Sequence, residues 1–366
     1  MIYIAGISIA LFFELLLINK KQKTLSDKIM IVWILLIVIH LYLFYLVHSS
    51  QNFTYPFLLG IEQGLPLFYG IFLFFYVGAT VEIIPKKKWV ILAHFLPIIV
   101  CYLYLINFFS LPTDQKIYVY ENQGAGFENF MKVKTILFPL HGLLYIYWTL
   151  NLLKKHSLNI RLQFSNLDNI NLNWLRMLIY GTGCLWILVL FLPENYIFIA
   201  IAFFVFIISY FGIKQDPIFS NGKLEQIPNI PKDSETIGPV IKKYSKSGLT
   251  KEHSEKIYEK LIHVFSKEKL YADCELTLAD LASKLETKSN YLSQIINEKE
   301  GANFFDFVNS YRLKAFLDLV SDQKHQKLTV LGMAYDCGFS SKSSFNRYFK
   351  KIMQKTPTEY IKGFSN

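Results

Sequence analysis

Seven long apolar runs fill the first 213 residues, and this pattern constrains the fold more than any other feature of the sequence. A helix needs about 20 mainly apolar residues to cross a bilayer. The runs lie near residues 2–18, 29–47, 65–84, 89–109, 134–153, 172–192 and 196–213. We predict seven transmembrane helices. The first run lacks a basic leader and a small-residue cleavage site, so we interpret it as a retained span and not as a removed signal peptide.

The loops between the runs predict the orientation, because Lys and Arg accumulate on the cytoplasmic side of a membrane. Ten basic residues fall in alternate loops, at 19–28, 85–88 and 154–171. The remaining loops, 48–64, 110–133 and 193–195, hold two. This alternation predicts an N-terminus outside, and it places everything after residue 213 in the cytoplasm. We expect a multi-pass protein of the bacterial cytoplasmic (inner) membrane.

Composition agrees with a membrane half followed by a soluble half. The chain is 52% hydrophobic and only 18% charged, whereas a soluble globular chain carries about 25% charged residues. A single soluble enzyme domain, a disordered chain and a collagen-like fibre are therefore excluded. The four cysteines show no paired spacing, so we expect buried reduced thiols, with no disulfide framework, metal site or cofactor.

A change in composition separates the two halves. Residues 214–255 are polar and contain four prolines and three glycines, which is typical of a linker. If flexible, a linker of this length would reach roughly 35 Å. We therefore predict three parts: a transmembrane domain at 1–213, a cytoplasmic linker at 214–255 and a folded domain at 256–366.

The last part contains the same helical pattern twice. Thr277 and Asp280 form a capping-box start, Ala282 is a small residue where two helices can cross, and a second helix follows from about residue 289. Thr329 and Gly338 begin and end the equivalent first helix of the second copy, whose outer helix follows at 341–351. Two short helices joined by a tight turn are typical of a helix-turn-helix unit.

A helix predicted at 303–320 separates the two units. At 1.5 Å per residue it is about 27 Å long, close to the spacing of about 34 Å between successive major-groove faces of B-DNA. A rigid spacer of this size allows two recognition helices to enter neighbouring turns of one duplex. The predicted fold is therefore all-α, with a seven-helix transmembrane bundle and a seven-helix domain containing two helix-turn-helix units.

The C-terminal part contains an ordered series of motifs: 276–285, Asn290-Tyr291-Leu292-Ser293, Asn303-Phe304, Asn309-Ser310-Tyr311-Arg312-Leu313, 334–351 and Thr356-Pro357-Thr358-Glu359-Tyr360. Together these motifs resemble the DNA-binding domain of the AraC/XylS transcription regulators. The resemblance covers about 256–364. Two positions depart from the family pattern: Gln354 stands where Gly is common, and Lys288 stands where Ser or Thr usually caps the first recognition helix. Thr287 or Ser289 could supply that cap.

The resemblance implies which side chains face the DNA groove. They are Ser289, Asn290, Ser293 and Gln294 in the first recognition helix, and Lys342, Ser343, Asn346 and Arg347 in the second. Such side chains can hydrogen-bond base edges. Residues 337–366 hold six basic residues against one acidic residue, so Lys350, Lys351 and Lys355 are expected to contact phosphates.

The whole pattern predicts a membrane-bound one-component transcription regulator that binds double-stranded DNA and is controlled by a small-molecule or membrane signal. Its expected partners are DNA and the lipid bilayer, and RNA polymerase and a second copy of the chain are compatible with the scheme. In the outer loop 110–133, Tyr118, Tyr120, Phe127 and Phe130 could cover a cavity. The amphipathic inner loop 154–171 could contact the DNA-binding domain.

The sequence is also consistent with two alternatives. A protease could cut the linker and release a soluble regulator, because the proline-rich stretch would permit it. The chain could also be a multispan membrane enzyme with an accessory DNA-binding domain. However, the sequence contains no H-E-x-x-H, G-x-S-x-G or glycine-rich phosphate loop, so we predict no catalytic residues.

Overall fold

The computed structural model describes residues 2–49, 51–85, 87–167, 173–213, 249–321 and 328–362. Within these ranges the regular structure is helical, with no strand longer than an isolated bridge. The all-α prediction is confirmed for them. The chain divides into two compact units: Met1–Lys155 with Leu172–Asp216, and His156–Asn171 with Pro217–Asn366.

The first unit contains ten α-helices among its described residues, and the last turns of one of them, Glu128–Gln163, belong to the second unit. They are α1 Ile2–Asn19, α2 Leu25–His48, α3 Pro66–Thr80, α4 Lys88–Ala93, α5 Leu96–Tyr104, α6 Ile106–Phe109, α7 Thr113–Glu121, α8 Glu128–Gln163, α9 Asn173–Leu188 and α10 Glu194–Ile213. Helix α1 packs against α2 and α10, and α3 packs against α2 and α9. A Cβ atom on Gly6 would lie 2.8 Å from Cβ of Ala202, so glycine allows the close approach of α1 and α10.

All seven apolar runs are largely helical, but their helices differ in length. Among the described residues, α2 and α8 are long and apolar enough to cross a membrane. The helical pair Pro56–Gly64 and α3, bent by 47°, would make a third span if it acts as one. The seven-span bundle therefore remains a prediction.

The fourth run shows why a continuous apolar stretch need not give one helix. It is divided into α4, α5 and α6, and Pro97 lies in the first turn of α5. Proline has no N–H to donate and its ring clashes with the preceding turn, so a helix readily restarts at this position.

The second unit has seven α-helices within 249–321 and 328–362. They are α11 Lys251–Lys267, α12 Leu278–Lys284, α13 Ser289–Glu300, α14 Phe304–Ser321, α15 Val330–Asp336, α16 Lys342–Met353 and α17 Pro357–Lys362. Of the linker predicted at 214–255, residues 214–248 lie outside the described residues. Helix α11 begins at Lys251, and Thr250 Oγ1 accepts a hydrogen bond from the backbone N–H of His253 at 3.3 Å.

Two hydrophobic clusters stabilise the second unit, and α14 contributes to both. Phe307 and Val308 pack with α11, α12 and α13. Phe305 and Phe316 pack with α15, α16 and α17. Because one helix supplies side chains to both clusters, it acts as the spacer that the sequence predicts between the two helical pairs.

The cysteines are only partly as expected. No disulfide forms among them, and Cys101 and Cys337 are buried. Cys184 and Cys274 are exposed, so the prediction of burial is wrong for these two. The described residues contain no group of three or more His, Cys, Asp or Glu side chains arranged to hold a metal ion.

Candidate nucleic-acid interface

The first helical pair, α12 and α13, begins with the capping box that the sequence predicts. Thr277 Oγ1 accepts from the backbone N–H of Asp280 at 3.1 Å, and the Asp280 carboxylate accepts from the backbone N–H of Thr277 at 3.3 Å. The turn between the helices places Glu286 at a φ of 54°. These bonds fix where α12 starts and therefore how α13 is presented.

The second pair, α15 and α16, is built in the same way. Thr329 Oγ1 accepts from the backbone N–H of Gly332 at 3.0 Å. Gly338 has a φ of 92°, as its predicted role in the turn requires. A Cβ atom there would lie 2.6 Å from the backbone oxygen of Tyr271. Glycine is therefore required both for the turn and for its contact with the segment after α11.

The two recognition helices differ in their N-terminal caps. Ser341 Oγ accepts from the backbone N–H of Ser344 at 3.1 Å and caps α16. At the start of α13 the cap position is Lys288, which forms no side-chain cap. Thr287 Oγ1 is buried without a hydrogen-bond partner. The cap expected from Thr287 or Ser289 is therefore not formed.

Most of the residues predicted to contact bases lie on accessible faces. Asn290, Lys342, Ser343 and Arg347 are exposed, and Ser289, Ser293 and Asn346 are half-buried. Lys350, Lys351 and Lys355, predicted to contact phosphates, are exposed. Polar and basic side chains thus stand on both recognition helices in positions that solvent, and hence DNA, can reach.

Gln294 is the exception. Its side chain is only 7% exposed, and its Nε2 donates to Glu298 Oε1 at 2.8 Å. It lies next to Ile295 and Ile296 on the packed side of α13. In this conformation Gln294 is not on the accessible face, and its predicted contact with bases would require the side chain to leave the interior.

Lys351 carries a contact that the sequence did not predict. Its ammonium lies 2.7 Å from Asp306 Oδ1 at the start of α14 and 5.7 Å from the centre of the Tyr348 ring. The Tyr348 hydroxyl donates to the backbone oxygen of Asp306 at 3.0 Å, and burial raises the pKa of this phenol. One acidic residue on the spacer helix thus partly neutralises a predicted phosphate contact.

Arg312, for which the sequence predicts no individual role, is the largest fully buried side chain among the described residues. It is 1% exposed, and its Nε and Nη2 donate to the backbone oxygens of Tyr271 and Asp273, both at 2.8 Å. Burial lowers the pKa of Arg312 to about 10, so the guanidinium is still charged at neutral pH. Three of its hydrogen bonds go to backbone oxygens, of Tyr271, Asp273 and Ser165, and such acceptors have no signal in a sequence pattern.

A separate cavity of about 550 Å³ lies within the first unit. Its walls are mainly apolar, and one group of polar residues forms part of the lining: Glu62, Gln63, Tyr120, Lys134 and Glu194. The Glu62 carboxylate accepts from Tyr120 and Gln63, and the Lys134 ammonium donates to Gln63 Oε1 at 2.8 Å. Three of the four aromatic residues predicted to cover a cavity line it, namely Tyr120, Phe127 and Phe130; Tyr118 does not.

Comparison with known proteins supports the helix-turn-helix geometry. Residues 281–363 match the family described as "Helix-turn-helix domain". The chain is 30% identical over 104 residues to the HTH-type transcriptional regulator YtdP of Bacillus subtilis (strain 168), which covers 28% of this chain and 13% of that protein. It is 28% identical over 89 residues to the transcriptional regulatory protein HptR of Staphylococcus aureus (strain NCTC 8325 / PS 47), covering 24% of this chain and 33% of that protein.

These matches define the class that the C-terminal part resembles: residues 281–363 are similar to a helix-turn-helix domain. The relatives are transcriptional regulators and not enzymes. The match spans a third or less of the length of each of these relatives. No solved structure matches the chain.

Proposed function

We propose that the chain is a membrane-bound one-component transcription regulator that binds double-stranded DNA through both helix-turn-helix units. The observation that carries the proposal is the pair of recognition helices, α13 and α16, on either side of one spacer helix. Exposed Asn290, Lys342 and Arg347 offer the donors and acceptors that base edges require.

DNA binding is tested with the full chain in detergent and with the fragment 250–366, which contains nearly all of both hydrophobic clusters but lacks residues 161–167. We expect the fragment to be soluble and helical, and both proteins to bind duplex DNA with an affinity that falls steeply with salt, because neutralised phosphates release counterions. An affinity that stays flat between low and physiological salt would contradict the proposal.

Surface composition supports a membrane location for the first unit. Large apolar side chains are well exposed there, for example Phe191 at 76%, Trp89 at 67% and Phe203 at 65%. Among the described residues of 249–362, three large apolar side chains are exposed: Leu328, Tyr335 and Ile352. An apolar outer surface of this extent suits lipid and is unfavourable in water.

The proposed topology has seven spans with the N-terminus outside and the DNA-binding domain in the cytoplasm, in the bacterial cytoplasmic (inner) membrane. The ten-to-two distribution of basic loop residues supports it. Alkaline phosphatase fused after residue 220 should be inactive in cells, whereas a fluorescent reporter at that point should fold. An active phosphatase would place the domain away from DNA and contradict the proposal.

We assign the signal to the cavity of the first unit, and we propose an amphipathic anion as the ligand. The apolar walls suit a hydrocarbon body. Lys134 donates to Gln63 and lies 3.8 Å from the exposed carboxylate of Glu194, and an acidic head group would replace that carboxylate as its partner. Decanoate should raise the melting temperature of the full chain in detergent. Lys134→Met should abolish that rise, and Lys132→Met, at an exposed position outside the cavity, should retain it. Equal responses of all three proteins would contradict this assignment.

Release of the domain by a protease is the second candidate, and it makes a different prediction. Fractionation of protein tagged at the C-terminus should show the tag in the membrane fraction before and after stimulation if the regulator acts while bound to the membrane. A soluble tagged fragment after stimulation would favour release.

A further inference from the structure

Residues 161–167, which we term the clasp, pack within the second unit although they are far in sequence from the rest of it. The clasp comprises the last residues of α8 and the four that follow. The sequence predicts only that the loop 154–171 could contact the DNA-binding domain. The contacts themselves are extensive and specific.

Ser165 is the centre of the clasp and is 1% exposed. Its Oγ donates to the backbone oxygen of Leu276 at 2.6 Å. The same Oγ accepts from Arg312 Nη2 at 3.0 Å, and the Ser165 backbone oxygen accepts from Arg312 Nη1 and Asn309 Nδ2, both at 3.1 Å. Arg312 therefore receives two of its acceptors from the clasp.

The rest of the clasp reaches both helix-turn-helix units. Phe164 forms a β-bridge with Thr277, the N-cap of α12 in the first helix-turn-helix unit. Asn166 Oδ1 accepts from Ser340 Oγ at 2.9 Å, just before α16 in the second helix-turn-helix unit. Leu167 packs against the hydrophobic cluster formed by α14, α15, α16 and α17. One short segment thus contacts the first helix-turn-helix unit, the spacer helix and the second helix-turn-helix unit.

We propose that the clasp fixes the position of the two helix-turn-helix units relative to each other, so that both recognition helices can bind one duplex. With the clasp in place, Asn290, Lys342 and Arg347 are exposed. The clasp therefore does not cover the recognition faces. The clasped form is the form that binds a complete DNA site.

The proposal rests on the proposed function and adds a route for its control. Helix α8 carries Lys134, Thr135 and Pro139, which line the cavity, and the same helix ends in the clasp. Residues 128–163 form one continuous helix, so cavity-lining residues and the first residues of the clasp lie on the same element.

The test uses the full chain in detergent and a duplex selected by the wild-type protein from a random library. Each variant is measured on the complete site and on each half of it alone. Ser165→Trp cannot fit a position that is 1% exposed, and the double variant Ser165→Ala with Asn166→Ala removes side-chain hydrogen bonds without adding bulk. Leu158→Ala changes an exposed residue just before the clasp and is the matched control.

We expect both clasp variants to bind the complete site about tenfold more weakly, or more, because buried hydrogen bonds to a charged group are lost. Binding to single half-sites and the Leu158→Ala control should be unchanged. If Ser165→Trp also loses half-site binding because the domain unfolds, the double alanine variant decides.

Complete-site binding that is unchanged in the double alanine variant would overturn the proposal. Tighter binding by either variant would also overturn it, since the clasp would then be inhibitory. A wild-type chain that binds no duplex at all would instead contradict the proposed function. The two failures are therefore distinguishable.

Discussion

The ammonium group of Lys351 on the second recognition helix lies 2.7 Å from Oδ1 of Asp306 on the spacer helix. A phosphate bound by Lys351 would have to compete with this carboxylate. Lys350, one residue earlier and exposed, forms no ion pair among the described residues that would impose the same cost. We therefore expect these neighbouring lysines of one helix to differ in their affinity for phosphate.

The first prediction follows from this pair. Asp306→Asn should strengthen binding to every duplex sequence alike and steepen the salt dependence, because Lys351 becomes available to a phosphate. Asp318→Asn removes the same charge from an exposed position of α14 and controls for net charge. Filter binding across a salt series measures both. Equal effects of the two variants would show that the ion pair is irrelevant to DNA binding.

The second prediction separates base contacts from phosphate contacts on α16. Arg347→Ala should relax the preference at one base pair by about 1–3 kcal/mol. Lys350→Ala should weaken all sequences alike and lower the salt slope by about one unit, with a smaller change for Lys351→Ala. The variants are compared on the preferred site, its single-base variants and random DNA. If Arg347→Ala weakened every sequence equally, Arg347 would be assigned to the backbone, and Lys342 and Asn346 would become the principal base contacts of this helix.

The third prediction concerns positive φ angles. Gly338→Ala should lower the free energy of unfolding of the second compact unit by about 2–4 kcal/mol, because it combines an unfavourable φ with a Cβ atom 2.6 Å from a backbone oxygen. Gly301 also has a positive φ, of 61°, but no atom lies within 4 Å of an added Cβ. Gly301→Ala should therefore cost only about 1 kcal/mol. Gln354 has a φ of 57°, and Gln354→Gly should stabilise by about 1 kcal/mol.

Hydrogen exchange of the second unit, measured by mass spectrometry on the full chain in detergent, reports all three changes. Equal losses of protection in the two alanine variants would show that the contact with Tyr271 is not what constrains Gly338.

The fourth prediction uses the difference between the recognition-helix caps. Lys288→Ser should add the missing side-chain acceptor at the start of α13 and stabilise the first helix-turn-helix unit by about 1 kcal/mol. Ser341→Ala should remove the existing cap of α16 at a similar cost. Exchange rates of the first-turn amides of α13 and α16 check each change at its own helix. Slower exchange at α13 without a change at α16 is expected for Lys288→Ser.

The helix-turn-helix units could be predicted from sequence because their determinants are local. Thr277 and Asp280, three residues apart, define a helix start, and Gly338 marks a turn that requires a positive φ. The same reasoning did not find that Gln294 is buried, because its position at the edge of the packed face of α13 depends on the neighbouring helices. Polar identity alone does not determine which way such a border residue points.

The contacts of Arg312 with Ser165 could not be predicted, since the two residues are 147 positions apart and many of the bonds use backbone oxygens. A backbone oxygen is present at every residue, so no residue type identifies the partner. The break in the fourth apolar run could have been predicted from the sequence, because Pro97 lies within the run. Hydrophobicity alone does not indicate where one helix ends and the next begins.

The position of the clasp before the linker has a consequence for cleavage. A single cut between residues 213 and 249 would produce two polypeptides, and the longer one would retain Ser165 while the shorter one would retain Arg312. Their buried hydrogen bonds would persist after the peptide bond is broken, as in a protein reconstituted from complementary fragments. Cleavage of the linker alone would therefore yield a nicked protein that stays assembled, and dissociation would require a second event at Ser165.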